Sequence, residues 1–195
     1  MIAKQLTPKS ASHVVNQFAV VLALMLMLFT MTAQAKTPKV SEILDNNGFQ
    51  TLLSALDAAQ LTAVLDENTV VLFAPTDDVF EATADALGCT DVLELATNLL
   101  NTPVDDTNAL AYVLTYHAYL GKLKNADDLL FAGTIQTANG DTVMTGVDQN
   151  GLSIKGNVNQ TPSSITARFN ARDDSRVYAI DQILLPIDPT GICGS

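Results

Sequence analysis

The sequence predicts an α+β fold, with helices in the first half of the domain and an antiparallel meander in the second. Apolar residues recur at helical spacing up to about residue 120, whereas short segments rich in β-forming residues follow from about residue 129. Asn139-Gly140 and Asn150-Gly151 lie between those segments, where such pairs are typical of hairpin turns. Helices followed by strands, without regular alternation, indicate an α+β domain.

The elements of the helical half are predicted from the positions of apolar side chains. Phe49, Leu52, Leu53 and Leu56 share one helix face, so a helix covers residues 49–59. The elements that follow are a strand at 69–74, a helix with Phe80, Ala84 and Leu87 on its inner face, and helices at 92–100 and 105–119. The buried stripe of the last helix comprises Leu110, Val113, Leu114 and His117, and its acidic start is Asp105-Asp106.

The second half contains short segments rich in β-forming residues. The strands predicted there are 134–138, 142–145, 152–155, 165–169 and 177–185.

The stretch VVLFAPTDDVF joins the first strand to the next helix. Pro75 ends the strand, and Thr76 is placed to be the N-cap of the helix. Asp77 and Asp78 would then lie in the first turn, where carboxylates satisfy free N–H groups and the helix dipole. A structural role therefore accounts for this acidic cluster without any chemistry.

The first 35 residues have the three features of a secretory signal peptide. The leader contains Lys4 and Lys9 but no acid, the apolar run 18–30 follows, and Ala33-Gln34-Ala35 supplies a cleavage pattern. An uncleaved anchor is the alternative, but a membrane span needs about 20 apolar residues. We expect cleavage near Ala35 and a secreted, periplasmic or extracellular mature chain. Its predicted parts are a linker at 36–40, one domain at 41–187 and a tail at 188–195.

The charge of the chain limits its partners. The full sequence has 10 basic and 21 acidic residues, and removal of Lys4 and Lys9 leaves 8 against 21, a formal charge of −13. Nucleic-acid binding requires clustered Lys and Arg, so nucleic acid is not expected as a partner. The mature chain has no apolar run that predicts insertion into a membrane.

Both cysteines, Cys89 and Cys193, fall in the predicted mature chain. Two cysteines in an exported protein favour a single disulfide, with unpaired thiols as the alternative. The bond would tether the tail at 188–195, which has no periodicity of its own and would otherwise fray.

Candidates for catalysis or metal binding are scarce. His117 is the only histidine of the predicted mature chain, and a disulfide would use both cysteines, so a zinc site lacks ligands. A Ser-His-Asp nucleophile would need His117 as its base, and the sequence has no Gly-x-Ser-x-Gly motif. Adjacent acid pairs point apart on a helix or strand, and none has calcium-loop spacing. We therefore predict no enzyme activity, no catalytic residue, no metal site and no cofactor.

Two polar residues in apolar surroundings are singled out for structural roles. His117 lies on the apolar stripe of its helix, so we expect it to be buried and hydrogen-bonded. Asp181 lies in the apolar segment VYAIDQILLP, where a buried carboxylate is costly unless it is hydrogen-bonded. It therefore either faces water at a sheet edge or has hydrogen-bond partners inside the domain. We expect the Asp181 carboxylate to accept hydrogen bonds from the region of Thr76 or His117.

Three segments in this order resemble the signature blocks of the fasciclin domain. They are LFAPTDDVF (72–80), LAYVLTYHAYLGKL (110–123) and VYAIDQILLP (177–186). The resemblance covers essentially the whole predicted mature chain and implies an α+β fold in which an antiparallel β-wedge or sandwich packs against several helices. The Tyr-His pair of the family falls on Tyr116 and His117, in a region linked to partner binding in animal members.

The resemblance also implies a function. Fasciclin domains are associated with adhesion and are not generally enzymes, so we expect a secreted or periplasmic module that binds a cell-surface or matrix protein or glycan. The residues that the motifs mark for interaction are Thr76, Tyr116, His117 and Asp181. The alternative is a small-ligand or carbohydrate-binding protein on the same fold.

Overall fold

The computed structural model describes residues 36–123, 128–129 and 132–194, so the predicted signal peptide lies outside the described residues. The helices are α1 Val40–Asn46, α2 Gln50–Ala58, α3 Thr62–Glu67, α4 Asp77–Ala86, α5 Val92–Asn101 and α6 Ala109–Tyr116. The strands are β1 Val70–Pro75, β2 Pro103–Val104, β3 Thr107–Asn108, β4 Ala118–Leu120, β5 Thr134–Gln136, β6 Thr142–Asp148, β7 Gly151–Lys155, β8 Ser163–Asn170 and β9 Arg176–Ile180. Within these described residues, no helix is long and apolar enough to cross a membrane.

Seven strands form one sheet in the order β4-β1-β9-β8-β7-β6-β5. The prediction of an α+β fold is confirmed, but the sheet is mixed rather than antiparallel, because β1 and β9 run parallel. The chain passes through all strands of the meander before it forms β9. This last strand lies beside β1 and runs in the same direction. The N–H of Ala138 donates to the carbonyl of Ala118 over 2.8 Å, so the two ends of the sheet approach each other.

Two apolar cores lie on opposite sides of the central strand pair. Along β1, Val70, Leu72 and Ala74 belong to the core that packs against the helices, whereas Val71 and Phe73 belong to the second core. All six residues of β1 are buried. A strand that is covered on both faces reads as a continuous apolar run, which explains the VVLFAP segment.

The helix predicted at 105–119 is shorter in the structure. Asp105 has a φ of 49° in the turn between β2 and β3, so the acidic pair forms a hairpin turn rather than a first helical turn. The helix begins after Asn108, whose side chain accepts a hydrogen bond from the N–H of Ala111 over 2.9 Å. Asn108 is therefore the N-cap that the sequence analysis missed.

The strand predicted at 177–185 also ends early. β9 stops at Ile180, after which the chain leaves the sheet and its backbone groups find other partners. The turns predicted at Asn139-Gly140 and Asn150-Gly151 are both present, with Gly140 at φ 95° and Gly151 at φ 119°. These left-handed values explain the glycines.

Candidate functional site

His117 lies at the junction of all three motif segments. Its side chain is 2% exposed, and Nδ1 lies 2.7 Å from the carbonyl oxygen of Val113, one turn earlier in α6. Nε2 accepts a hydrogen bond from the backbone N–H of Leu184 over 2.9 Å. The carbonyl of His117 accepts from the N–H of Phe73 in β1 over 2.9 Å. The expectation that His117 is buried and hydrogen-bonded is confirmed.

These contacts define the protonation state of the His117 ring. Because the N–H of Leu184 donates to Nε2, the single proton of the neutral ring must reside on Nδ1, where it is donated to Val113. Burial lowers the pKa of His117 to about 4, against a smaller opposing effect of the Val113 hydrogen bond. A neutral ring with both nitrogens engaged is a structural connector and has no free nitrogen to act as a base or a ligand.

Tyr116 makes an equivalent connection to the meander. Its side chain is fully buried, and its hydroxyl donates to the carbonyl of Thr142 and accepts from the N–H of Asn157, both over 2.9 Å. Burial raises the pKa of the Tyr116 hydroxyl. Tyr116 therefore ties α6 to β6 and to the loop after β7, and the Tyr-His pair holds the two halves of the fold together.

Thr76 occupies the N-cap position of α4, as predicted, but its side chain makes no capping hydrogen bond. The neighbouring Asp77 caps a different helix. Its carboxylate accepts from the N–H of Thr51 over 2.7 Å and of Gln50 over 3.2 Å, which are the first residues of α2. Because Phe49, the N-cap residue of α2, provides no side-chain cap, Asp77 supplies the missing acceptor from the other segment.

The predicted partners of Asp181 are wrong. Its carboxylate accepts from the hydroxyl of Ser163 over 2.9 Å and from the N–H of Ser164 over 2.8 Å, and from neither Thr76 nor His117. Asp181 follows the last residue of β9 and is exposed, so it needs no partner from the core. It fixes the start of β8 instead, and His117 makes the connection that was expected of Asp181.

The sequence-marked residues form no catalytic constellation. Thr76 and Asp181 belong to separate hydrogen-bond groups and do not share contacts with the Tyr-His pair. Among the described residues, no group of three or more His, Cys, Asp or Glu is placed to hold a metal ion. Two arginines near the connection between β8 and β9 serve the backbone of other segments: Arg172 donates to the carbonyl of Asp66 and Arg176 to the carbonyl of Leu123.

A cavity lies among the helices next to His117. It has a volume of about 410 Å³ and is bounded by α2, α4, α5, α6 and the segment after β9. Its wall includes Phe80, Leu110, Val113, Ile183 and His117. The sequence analysis missed this cavity, although α5 carried a signal for it, since Leu93 and Leu100 place apolar side chains on the outer face of that helix.

The predicted disulfide between Cys89 and Cys193 is present. It joins residues 104 apart in the sequence, and the Cα atoms are 4.9 Å apart. Asn98 of α5 adds a hydrogen bond from Nδ2 to Sγ of Cys193 over 3.6 Å. The bond holds the C-terminal segment against the helical half, where Ile192 packs on the core.

Comparison with known proteins agrees with this arrangement. A family model described as the fasciclin domain matches residues 47–186, which is more than half of the chain and includes all three motif segments. The chain belongs to the fasciclin domain family. Fasciclin domains are associated with adhesion in general and are generally non-catalytic.

Two individual proteins are similar to this fasciclin domain. The uncharacterized protein sll1735 of Synechocystis is 29% identical over 150 residues, which cover 76% of this chain and 98% of that protein. A solved structure of a FAS1 domain pair from the insect cell adhesion molecule fasciclin I is 15% identical, with a TM-score of 0.49. The match covers 72% of this chain and 46% of that chain, so the present chain spans less than half of the insect structure.

Proposed function

We propose that this chain is a secreted or periplasmic module that binds a cell-surface or matrix protein or a glycan, without catalysis. The family match over residues 47–186 carries the proposal, because fasciclin domains are associated with adhesion. The signal-peptide pattern in residues 1–35 and the Cys89–Cys193 bond both favour an oxidising compartment outside the cytoplasm.

The geometry favours an interaction through surface groups around the Tyr-His pair rather than through the pair itself. Both His117 nitrogens and the Tyr116 hydroxyl are already bonded within the domain. A partner would therefore contact neighbouring exposed residues, whose positions the pair maintains. The partly exposed Tyr112 in α6 is one such residue, with its hydroxyl donating to Asp141 over 2.7 Å.

The test compares a protein partner with a glycan partner. Purified chain would be applied to a glycan array and, in parallel, immobilised to retain envelope and matrix proteins from its host. We expect saturable retention of a protein or a surface glycan by the native chain, and none by chain that has been reduced and unfolded. No saturable binding of either class by native chain would contradict the proposal.

Carbohydrate binding, the alternative on the same fold, has a distinct signature. A saturable glycan signal without any retained protein would favour it. The chain contains no tryptophan, which removes the most effective sugar-stacking side chain. The cavity beside His117 is lined mainly by apolar groups, so it does not resemble a polar carbohydrate site.

A further inference from the structure

Helix α5 presents two apolar faces, and both contribute to the lining of the 410 Å³ cavity. Leu95 and Leu99 are buried in the core, whereas Leu93 and Leu100 are 74% and 36% exposed. A helix at the surface of a protein normally turns a polar face to solvent, so the second apolar face requires an explanation. The exposed leucines mark the mouth of the cavity, and its volume falls in the range of small-molecule sites, about 300–1,000 Å³.

Among the residues that the structure describes, the lining of this cavity includes no charged side chain. Its polar members are Gln50, Thr51, Ser54, Thr83, Thr97 and His117. The ring of His117 is neutral, and both of its nitrogens are bonded within the protein. An anionic group would therefore find no cation in the cavity, and the net charge of −11 would repel it. The chemistry of the lining fits an uncharged ligand.

The C-terminal segment closes one side of the cavity. Ile187, Pro189 and Ile192 contribute to the wall, and all three lie beyond residue 186, where the family match ends. The disulfide from Cys89 to Cys193 fixes this wall to the helical half. A wall that is held covalently does not have to be ordered when a ligand binds, which lowers the entropic cost of binding. A cavity closed on this side suits a small molecule better than a helix of a second protein.

We propose that this cavity binds one uncharged, largely hydrocarbon small molecule with at most a hydroxyl, ketone or ester group. The hydrocarbon part lies between α2, α4, α5, α6 and the C-terminal wall, and the hydroxyls of Thr51 and Ser54 are available to the polar group. This binding site is additional to the proposed surface interaction, and the two can be tested separately.

The test uses the mature chain expected after cleavage near Ala35 and N-phenyl-1-naphthylamine, an uncharged probe whose fluorescence rises in apolar surroundings. We expect saturable binding of one probe per chain, with displacement by 1-dodecanol and much weaker displacement by dodecanoate. Equal displacement by the alcohol and the carboxylate would overturn the assignment to uncharged ligands. Fluorescence that never saturates would overturn the site itself.

Two substitutions on α5 locate the probe. Ala96→Trp fills the cavity from its wall, whereas Asn101→Trp places the same side chain on the same helix outside the lining. We expect Ala96→Trp to weaken binding by about tenfold or more and Asn101→Trp to leave it unchanged. Equal affinities of these two variants would place the probe elsewhere and overturn the proposal.

A variant at the mouth covers the case in which Ala96→Trp fails to fold. Leu93 is exposed, so Leu93→Ser needs no repacking, and we expect it to weaken probe binding as well. Unchanged affinity of Leu93→Ser would count against the site.

Sedimentation velocity with and without probe gives an independent readout. A dimer that dissociates when the probe binds would assign the apolar mouth to a second copy of the chain and overturn the small-molecule proposal.

Discussion

The backbone N–H of Leu184 donates a hydrogen bond to Nε2 of His117 over 2.9 Å, and the two residues are 67 positions apart. This bond requires a neutral ring, because a proton on Nε2 would place a donor against a donor. The segment after β9 is thus attached to α6 only while His117 is uncharged. The stability of the domain should therefore depend on pH in a range where few other side chains titrate.

The pH dependence follows from the pKa values of His117 in the two states. The pKa is about 6.5 in the unfolded chain and about 4 in the folded protein, because burial disfavours the charged ring. Between these values the unfolded state binds a proton that the folded state does not. Stability should therefore fall as the pH decreases from about 6.5 to about 4, by about 3 kcal/mol in total. Urea unfolding at a series of pH values measures this loss.

A variant without the titrating ring isolates the contribution of His117. His117→Gln should show a much flatter stability profile between pH 7 and pH 5, because no other histidine is present in the expected mature chain. Burial raises the pKa of the Asp66 carboxyl, but hydrogen bonds from Ser41 and Lys39 outweigh it and leave the pKa lowered. A hydrogen bond from Ser164 lowers the pKa of Asp148, so the effect of both carboxyl groups belongs to lower pH. A native chain as stable at pH 5 as at pH 7 would contradict the role assigned to His117.

Removal of the His117 ring should lower the stability of the domain, and any loss of partner binding should follow from that loss of stability. His117→Ala leaves the N–H of Leu184 without its acceptor and opens space beside the cavity, which should cost about 3 kcal/mol. Thermal unfolding measures the loss, and Glu81→Ala on the exposed face of α4 is the control. Full loss of partner binding with an unchanged melting temperature would instead show that His117 contacts the partner directly.

Asp77 and Asp78 provide a matched pair of neighbouring acids. Asp77 caps α2 through the N–H groups of Gln50 and Thr51, whereas Asp78 is exposed in the first turn of α4. We expect Asp77→Ala to lower the free energy of unfolding by about 1–2 kcal/mol and Asp78→Ala to lower it by a few tenths. Chemical denaturation of both variants tests the difference. Equal losses would mean that the dipole of α4, and not the cap of α2, accounts for the acids.

Tyr116→Phe removes one hydroxyl that serves two backbone groups. The carbonyl of Thr142 and the N–H of Asn157 both lose their partner, so unfolding should become easier by about 1–3 kcal/mol. Tyr112→Phe is the comparison, because its hydroxyl bonds Asp141 in a partly exposed position where water can replace it. A larger loss for Tyr112→Phe than for Tyr116→Phe would contradict this account.

The disulfide should contribute strongly to stability. A bond between residues 104 apart restricts the unfolded chain, and the chain-entropy relation gives about 4–5 kcal/mol. The Cys89→Ser, Cys193→Ser double variant should melt at a clearly lower temperature than the oxidised chain. Titration of the unfolded, unreduced protein should detect no free thiol, and two reactive thiols per chain would exclude the bond.

Local sequence patterns predicted the elements whose cause is local. The helices at α2 and α5 follow from their apolar spacing, and the turns at Asn139-Gly140 and Asn150-Gly151 follow from their residue types. The parallel pairing of β1 with β9 left no local signal, because it joins segments on either side of the entire meander. The sequence therefore indicated the class of the fold but not the direction of its central pair.

The candidate site shows the same limit at the level of side chains. A lone histidine on an apolar stripe predicted the burial of His117, but its partner is the backbone N–H of Leu184, which no side-chain pattern reveals. Asp181 was assigned the wrong partners because the apolar segment around it suggested a continuous strand. The strand ends at Ile180, the residue before Asp181, so the carboxylate is exposed and accepts hydrogen bonds from Ser163 and Ser164.

The position of β1 between β4 and β9 also determines when the protein can fold. Val71 is in register with Arg176, so the centre of the sheet cannot form until nearly the entire polypeptide has been synthesised. Contacts between such distant residues have a high cost in loop closure and slow the folding reaction. Until β9 has been synthesised and has paired with β1, one edge of the wholly apolar strand β1 has no hydrogen-bonding partner. Chains interrupted before residue 176 should therefore aggregate rather than fold into a smaller version of the domain.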